Sequence, residues 1–176
     1  MQAGSTGTTS LPSAATESAH AAAAEWVARF QEGWAAPASA AAFCAHFAPI
    51  LDPGIRLLQP QMPATTGLDA FEHDFVAPLF ELMPDVHATV GHWASFGETI
   101  FIELTIAGTL RGGRRVSWHA CDRVVLRDGL AVERESYFDP SPILAALARS
   151  PRAWPAFARM RLPRALRGPQ RPKETR

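Results

Sequence analysis

One carboxylate stands among apolar residues in the stretch 115–126, and this contrast is the strongest sign of chemistry in the sequence. Every second position of the stretch holds Val116, Trp118, Ala120, Asp122, Val124 and Leu126. Alternate side chains of a β-strand share a face, so this set predicts an inward, apolar face that carries Asp122. A buried carboxylate is costly unless it is paired or used, which makes Asp122 a candidate general acid or base.

The hairpin after this strand decides which residues face Asp122. If Arg127-Asp128-Gly129 forms a three-residue loop, Asp122 lies opposite Arg134, and Ser136 faces the same side. A two-residue turn would place Glu135 opposite Asp122, and like charges directly across a strand pair are unfavourable. We therefore predict the three-residue loop, with Arg134 and Ser136 on the inward face.

The sequence leaves two interpretations of Asp122 open. Burial disfavours the charged form of a carboxylate, whereas a neighbouring arginine favours it. At about 4 Å and an effective dielectric constant near 20, that attraction is worth roughly 4 kcal/mol, the same order as the cost of burial. Asp122 is therefore either an acid or base in an apolar pocket, or half of an internal ion pair with Arg134 that fixes the strand register.

The elements that position these residues follow from hydrophobic periodicity and from turn residues. Alternation of apolar and polar residues, interrupted at Gly112-Gly113 and Asp128-Gly129, predicts successive antiparallel strands, and apolar residues at helical spacing predict helices upstream. The predicted strands are Ile55–Gln59, Val86–Phe96, Glu98–Arg111, Arg115–Leu126 and Leu130–Phe138; the predicted helices are Glu17–Trp34, Ala40–Ala48, Leu68–Leu82 and Ile143–Ala148.

This order of elements predicts an α+β fold. We expect a cone-shaped, strongly curved mixed or antiparallel β-sheet wrapped around three N-terminal helices, in the manner of a cystatin-like α+β barrel. The open mouth of such a cone suits a small ligand. Within 176 residues we expect one domain at 17–148, a disordered leader at 1–16 and a basic, Pro- and Arg-rich tail at 149–176.

Charge is unevenly distributed, although the formal net charge is zero. The segment 149–176 has nine Lys or Arg residues and one Glu, which gives +8, while the remaining eight basic and sixteen acidic residues give −8. An acidic body with a basic tail is one pattern of nucleic-acid-binding proteins. No basic groove with aromatic residues accompanies the tail, so we expect a solvated or self-docking tail and no nucleic-acid partner.

The cellular compartment is indicated by cysteine use and by targeting signals. Cys44 and Cys121 are too few for a disulfide framework and fit a reducing cytoplasm. The chain shows no signal-peptide pattern and no apolar run of membrane-spanning length. Abundant Ala and sixteen Arg against one Lys are typical of a GC-rich genome. We expect a bacterial, cytoplasmic protein without a membrane partner.

No residue pattern indicates a metal or a cofactor, and we expect neither. His87 and His92 are five residues apart on a predicted strand, so they point to opposite faces. The sequence has no zinc-ligand spacing, nucleophile elbow or phosphate-binding loop. The outer face of the strand that carries Asp122 is mixed enough for a homodimer interface. Its residues are Ser117, His119, Cys121, Arg123 and Val125.

Five short motifs carry a resemblance to a known superfamily. They are Phe43–Phe47, Gly67, Met83-Pro84-Asp85, the run from Cys121 to Gly129, and Tyr137-Phe138-Asp139-Pro140. Their order resembles the nuclear-transport-factor-2-like superfamily, and within it the SnoaL-like group of polyketide cyclases, over about Glu17–Ala148. The superfamily holds isomerases, epoxide hydrolases, cyclases, dehydratases and non-catalytic binders, so the fold alone does not assign a function.

Two mechanisms of this superfamily match the sequence poorly. Ketosteroid-isomerase-like members need a Tyr on the first helix and an Asp ending the first strand, where this chain has Phe30 and Gln59; only their second Asp is matched, by Asp122. Limonene-epoxide-hydrolase-like members need an inward Arg and Asp on one strand and an Asp on the last strand, where this chain has Leu104, Ile106 and Ser136. Both mechanisms are therefore disfavoured.

The third mechanism is that of the SnoaL-like cyclases, in which one Asp on the penultimate strand abstracts a proton alpha to a carbonyl. Asp122 matches that position, so the resemblance implies a cofactor-independent cyclase-, isomerase- or dehydratase-like enzyme acting on a hydrophobic carbonyl compound, with Asp122 and Arg134 as catalytic residues. The alternative is a non-catalytic small-molecule binder or structural dimer. Aromatic walls suit a flat polycyclic ligand. The predicted binding residues are Phe30, Gln59, Phe75, Trp93, Trp118 and Ser136.

Overall fold

Six strands form one sheet in the computed structural model, which describes residues 14–60 and 62–161. They are β1 (Leu51–Leu58), β2 (Thr65–Thr66), β3 (His87–Phe96), β4 (Thr99–Leu110), β5 (Arg114–Arg127) and β6 (Leu130–Phe138). Their order is β2-β1-β6-β5-β4-β3, with β1 parallel to β6 and every other pair antiparallel. The predicted α+β class and mixed sheet are confirmed; the sheet is open rather than closed into a barrel, with β2 and β3 at its edges.

The described part of the chain forms six α-helices, which pack against this sheet or against one another. They are α1 (Ala14–Ala35), α2 (Ala40–Phe47), α3 (Leu68–Ala70), α4 (Ala77–Leu82), α5 (Ser141–Ala148) and α6 (Trp154–Arg161). A π-helical turn, Phe71–Val76, joins α3 to α4, so the predicted helix Leu68–Leu82 is interrupted just before Pro78, which has no N–H for a regular helical hydrogen bond. No helix among the described residues is long and apolar enough to cross a membrane.

The core lies between α1 and the inward face of β4. Ile100, Ile102 and Leu104 occupy alternate positions of β4 and are at most 2% exposed, as period-two alternation predicts. Phe30 and Trp34 lie four residues apart on one face of α1, and both are buried. Burying side chains of this size contributes about 1.5–3 kcal/mol each, so the helix and the sheet stabilise one another.

The hairpin between β5 and β6 corrects the predicted register. Arg127 pairs with Leu130, so the turn has two residues, and Asp128 and Gly129 take the left-handed φ values of 51° and 79° that such turns require. A bulge beyond the turn then shifts the pairing by one residue, and Asp122 lies opposite Ser136 rather than opposite Arg134. The predicted three-residue loop is wrong. The predicted faces hold, because the register differs from the expected one by two residues and side chains alternate with a period of two.

Both ends of the predicted domain differ from the expectation. Helix α1 begins at Ala14, inside the segment 1–16 predicted as a leader; residues 1–13 lie outside the described structure. In the predicted tail, Pro151–Ala153 forms a short 3₁₀ turn and leads into α6, whose Ala156 is 2% exposed. The start of the tail therefore docks on the domain, and residues 162–176 lie outside the described structure.

Strand β1 also begins earlier than predicted. Asp52-Pro53-Gly54, predicted as a turn, lies within β1, where the pairing with β6 is irregular between Leu51 and Arg56. Asp52 Oδ1 accepts the Gly54 N–H at 2.7 Å, so the side chain replaces a ladder hydrogen bond at this irregularity. A local turn motif and a strand are thus compatible here.

Candidate functional site

Asp122, Arg134 and Ser136 form a buried polar cluster on the concave face of β5 and β6. Asp122 is 0% exposed. Its Oδ2 lies 2.6 Å from both Nε and Nη2 of Arg134, and its Oδ1 accepts the hydroxyl hydrogen of Ser136. Both carboxylate oxygens therefore have charged or polar partners, as a buried carboxylate requires.

Aromatic rings surround the guanidinium of Arg134. Its Cζ lies 5.6 Å from the ring centroid of Phe30 and 5.7 Å from those of Trp34 and Phe75. Cations within about 6 Å of an aromatic face are attracted by the ring quadrupole, and more strongly when water is absent. Helix α1 and the π-helical turn thus hold the planar guanidinium in place from the side opposite Asp122.

A cavity opens next to this cluster, and it is walled mainly by apolar side chains. Arg134 and Ser136 lie on its wall, whereas Asp122 lies behind them and does not line it. The cavity has a volume of about 60 Å³, counted as the space that the centre of a water molecule can reach. The total empty volume is about 720 Å³, but it includes gaps too narrow for water and open solvent. The smaller volume decides what fits, because a ligand atom needs at least the room of a water molecule.

Several hydrogen-bond donors of the cavity wall lack a strong acceptor. The indole nitrogens of Trp34 and Trp118 are buried and have no hydrogen-bond partner among the described residues. Gln59 donates to the sulfur of Met62 at 3.0 Å, and sulfur is a weak acceptor. A buried N–H without a partner costs about 1–3 kcal/mol, so both indoles lower the stability of the fold, and the wall donor with only a weak partner that a ligand oxygen can satisfy is Gln59.

The structure brings most of the predicted site residues together. Gln59, Phe75, Trp118, Arg134 and Ser136 all line the cavity. This agreement follows from helical spacing and from strand parity, because the observed register differs from the predicted one by two residues and so keeps the same side chains inward.

Two predicted binding residues are not on the cavity wall. Phe30 lies behind Arg134, against its guanidinium. Trp93 pairs with Ile102 but lies towards the start of α1, where it stacks on His20 with ring centroids 5.1 Å apart. The prediction that Trp93 lines the cavity is wrong in position, because β3 is an edge strand that packs against α1.

The sequence analysis missed the residues that close the cavity. Ile143 and Leu144 of α5 and Phe157 and Met160 of α6 line the cavity, and because they are partly exposed they lie on its open side. The signal was present, because Ala153, Ala156, Phe157 and Met160 recur at positions i, i+3, i+4 and i+7, as on one face of a helix. The surrounding Pro and Arg residues led to the prediction of a tail.

The outer face of the sheet carries a network of charges. Arg123 contacts Glu135 at 3.0 Å and also bonds Glu133, which in turn lies 3.2 Å from Arg56. Hydrogen bonds from Tyr137 and from Arg123 lower the pKa of Glu135.

Within residues 14–60 and 62–161, no group of three or more His, Cys, Asp or Glu side chains is arranged to hold a metal ion.

Comparison with known families agrees with this fold. The family model of the SnoaL-like domain matches residues 27–134, more than half of the chain, and the chain belongs to this family. The matched residues run from α1 to the Arg134 position of β6 and include Asp122. No curated protein matches the chain at a significant level.

Solved structures with the same fold have varied activities. A protein from Jannaschia sp. CCS1, assigned as a SnoaL-like polyketide cyclase, is 21% identical with a TM-score of 0.65 and covers 79% of this chain and 97% of its own. An epoxide hydrolase of the LEH-like type from M. tuberculosis is 15% identical (TM-score 0.59; 76% and 95% covered). TerC, co-crystallised with polyporic acid, is 16% identical (TM-score 0.59; 72% and 98% covered). Because the sequence identities are this low, the similarity to these structures shows that the fold is shared and does not assign an activity to this chain.

Proposed function

We propose that this protein binds a hydrophobic carbonyl compound in the cavity, with the carbonyl oxygen against Arg134 and Ser136. The observation that carries the proposal is the position of these two polar residues on a wall that is otherwise mainly apolar. A guanidinium has five N–H donors, and the contacts with Asp122 run through Nε and Nη2 only, so Nη1 remains for a ligand oxygen.

The same arrangement supports cofactor-independent chemistry of the cyclase, isomerase or dehydratase kind. A proton from the carbon alpha to the carbonyl passes to Ser136 Oγ while the Ser136 hydroxyl proton passes to Asp122 Oδ1. The electrons of the broken C–H bond form the enolate C=C bond, and the guanidinium of Arg134 stabilises the resulting oxyanion. Asp122 thereby acts as the base through Ser136, which is the only route open to a carboxylate that lies behind the wall.

The similar structures are compatible with a ligand of this class. TerC was crystallised with polyporic acid, and the Jannaschia protein is assigned to the polyketide cyclases. Both descriptions concern oxygenated organic molecules, and they support a ligand of this kind for the cavity of this chain.

The alternative function is ligand binding without turnover. It is favoured by the fact that both oxygens of Asp122 are occupied, Oδ2 by Arg134 and Oδ1 by Ser136. In that case Asp122 only holds the two wall residues in position, and replacing it changes stability and affinity but removes no activity.

A pair of matched probes tests the binding proposal. Acetophenone and ethylbenzene have nearly the same shape and differ in the carbonyl oxygen. We expect acetophenone to bind about tenfold more tightly, a difference of about 1.4 kcal/mol, and Arg134→Met to abolish the preference, as measured by isothermal titration. Equal affinities for the two probes in the wild-type protein would overturn the proposal.

Hydrogen exchange separates the enzyme from the binder. We expect the wild-type protein to accelerate deuterium incorporation into the methyl group of acetophenone in D₂O, followed by NMR, and Ser136→Ala to abolish the acceleration. Ser117→Ala, on the outer face of β5, is the matched control and should keep the full rate. Tight binding without accelerated exchange would establish the non-catalytic alternative.

We propose further that the protein is a homodimer that associates through the outer face of the sheet. Phe101 and Tyr137 are 45% and 49% exposed there, and the charges of Arg123, Glu133 and Glu135 are already paired within the chain. A face with exposed rings and internally neutralised charges suits association with a second copy. Analytical ultracentrifugation should give a dimer for the wild-type protein and a monomer for Phe101→Glu.

We propose that the protein is located in the cytoplasm. Cys44 and Cys121 are both free. Burial and the neighbouring Glu72 raise the pKa of Cys44 to about 11, and burial raises the pKa of Cys121. Thiols held in this form react slowly, as suits structural cysteines in a reducing compartment. Cell fractionation of the native host, with detection of the protein by antibody, tests the location.

A further inference from the structure

We infer that α6 sets the size of the ligand that the cavity accepts, with Phe157 and Met160 as the size-selecting residues. The inference rests on the proposed function, since it concerns the same cavity. It adds the ligand class, a compound with one aromatic ring rather than a fused polycycle, and it assigns the selection to a segment that the family model does not cover.

Helix α6 contributes Phe157 and Met160 to the same cavity wall as Arg134 and Ser136. Phe157 and Met160 are partly exposed, whereas Arg134 and Ser136 are buried, so a ligand whose oxygen reaches Arg134 extends its apolar part towards the solvent side, where α6 lies. The family model ends at residue 134, so α6 belongs to a segment that the family model does not match.

The room in the cavity is small. About 60 Å³ is open to the centre of a water-sized probe, whereas a dry cavity that holds one benzene ring has a volume of roughly 150 Å³. Each further ring of a ligand therefore has to displace side chains of the wall, Phe157 and Met160 among them.

Contacts with α4 and α5 hold α6 in place on the domain. Ala153 and Ala156, at 0% and 2% exposure, let the helix approach the domain closely. Arg159 Nη2 lies 2.5 Å from Glu81 Oε1 on α4, and Trp154 Nε1 donates to Leu147 O at 2.7 Å on α5. An eight-residue helix is not stable alone, so these contacts fix where the side chains of α6 stand.

A graded series of ketones tests the inference on the full-length protein. Acetophenone, 2-acetylnaphthalene and 2-acetylanthracene carry the same acetyl group on one, two and three rings. We expect the wild-type protein to bind acetophenone at least about tenfold more tightly than 2-acetylanthracene by isothermal titration. Phe157→Ala and Met160→Ala should each reverse or abolish this order, because truncation opens the mouth. Phe96→Ala makes the same truncation at a residue that is 88% exposed in the β3–β4 turn, and it should leave the order unchanged.

A conservative variant guards against loss of structure. Phe157→Leu keeps an apolar side chain and should shift the preference by one ring only, while circular dichroism shows whether each variant is folded. An unchanged order in folded Phe157→Ala and Met160→Ala overturns the inference, as does tight binding of 2-acetylanthracene to the wild-type protein.

The corresponding hydrocarbons separate this inference from the proposed function. If ethylbenzene and 2-ethylnaphthalene bind as well as the ketones and the truncations still shift the size preference, carbonyl recognition is wrong and the role of α6 stands. If the ketones are preferred but the size order does not change, only the role of α6 is wrong. If no member of either series binds, both are overturned.

Discussion

Arg134 approaches Asp122 diagonally across the β5–β6 pair, with Nε and Nη2 both 2.6 Å from the same carboxylate oxygen, Oδ2. The residue directly opposite Asp122 is Ser136, and the residue directly opposite Arg134 is Val124. Diagonal neighbours on one face are within reach of long side chains. Ser136 therefore takes the position directly across from Asp122. Arg134 and Ser136 bind different oxygens of the Asp122 carboxylate.

This geometry predicts a large penalty for removing one member of the ion pair. Asp122→Asn leaves the buried Arg134 without a counter-charge and should lower the free energy of unfolding by about 3–5 kcal/mol. The double variant Asp122→Asn/Arg134→Met should recover most of that loss. Urea denaturation measures both values, and a double variant no more stable than Asp122→Asn alone would contradict the pairing.

Ser136→Ala should have a smaller effect on stability. It removes the hydroxyl that donates to Asp122 Oδ1 and leaves that oxygen buried without this partner, at a cost of about 1–3 kcal/mol. Ser117→Ala, an exposed position on the same sheet, should change the free energy of unfolding by less than about 0.5 kcal/mol. Equal effects of the two substitutions would show that the hydroxyl contributes nothing to the cluster.

Asp85 should make stability depend on pH in the acid range. Burial raises the pKa of Asp85, but hydrogen bonds from the hydroxyl and backbone N–H of Thr109, at 2.7 Å and 2.6 Å, lower it more, so the net pKa lies below the ordinary value. Because the folded pKa is depressed, the stabilisation is complete above the unfolded pKa of about 3.9 and disappears as the pH falls through the folded value.

Asp85→Asn tests this pH dependence. The variant should be less stable than wild type by about 1 kcal/mol at pH 7, after allowance for solvent exposure, and the difference should vanish near pH 2. Gln31→Ala, at an exposed position on α1, changes no titratable group; it is the control and should keep the same pH dependence as the wild-type protein. Thermal unfolding across pH 2–7 gives the comparison, and a gap that persists at the lowest pH would contradict the assignment.

Gly33→Ala should destabilise the protein although alanine is the better helix former. A Cβ at Gly33 would lie 2.5 Å from His46 Cδ2 and 2.5 Å from Phe47 Cε2, closer than real contacts allow. The gain in helix propensity is about 1 kcal/mol, and overpacking costs about 1–3 kcal/mol, so we expect a net loss. Gln31→Ala on the exposed side of α1 should be neutral or slightly stabilising in the same denaturation experiment.

The inward and outward faces of the elements follow from the sequence pattern. Alternation placed Asp122 inward, the predicted hairpin placed Arg134 and Ser136 on the same face, and helical spacing gave the buried face of α1. These inferences depend on local periods of 2 and 3.6 residues, which are properties of the backbone. They survived an error in the hairpin, because a register that differs by two residues leaves every side chain on the same face.

The residues that contact these faces could be known only from the packing of distant segments. The bulge in β6 put Ser136 opposite Asp122, the edge position of β3 took Trp93 away from the cavity, and the packing of Arg134 among three rings hid Asp122 behind the wall. The docking of α6, which closes the mouth through Phe157 and Met160, depends on contacts with α4 and α5 far back in the chain. The local sequence pattern fixes the direction in which a side chain points, whereas packing between distant segments fixes which residues surround it. The site is defined by those surrounding residues, so it depends on the tertiary structure.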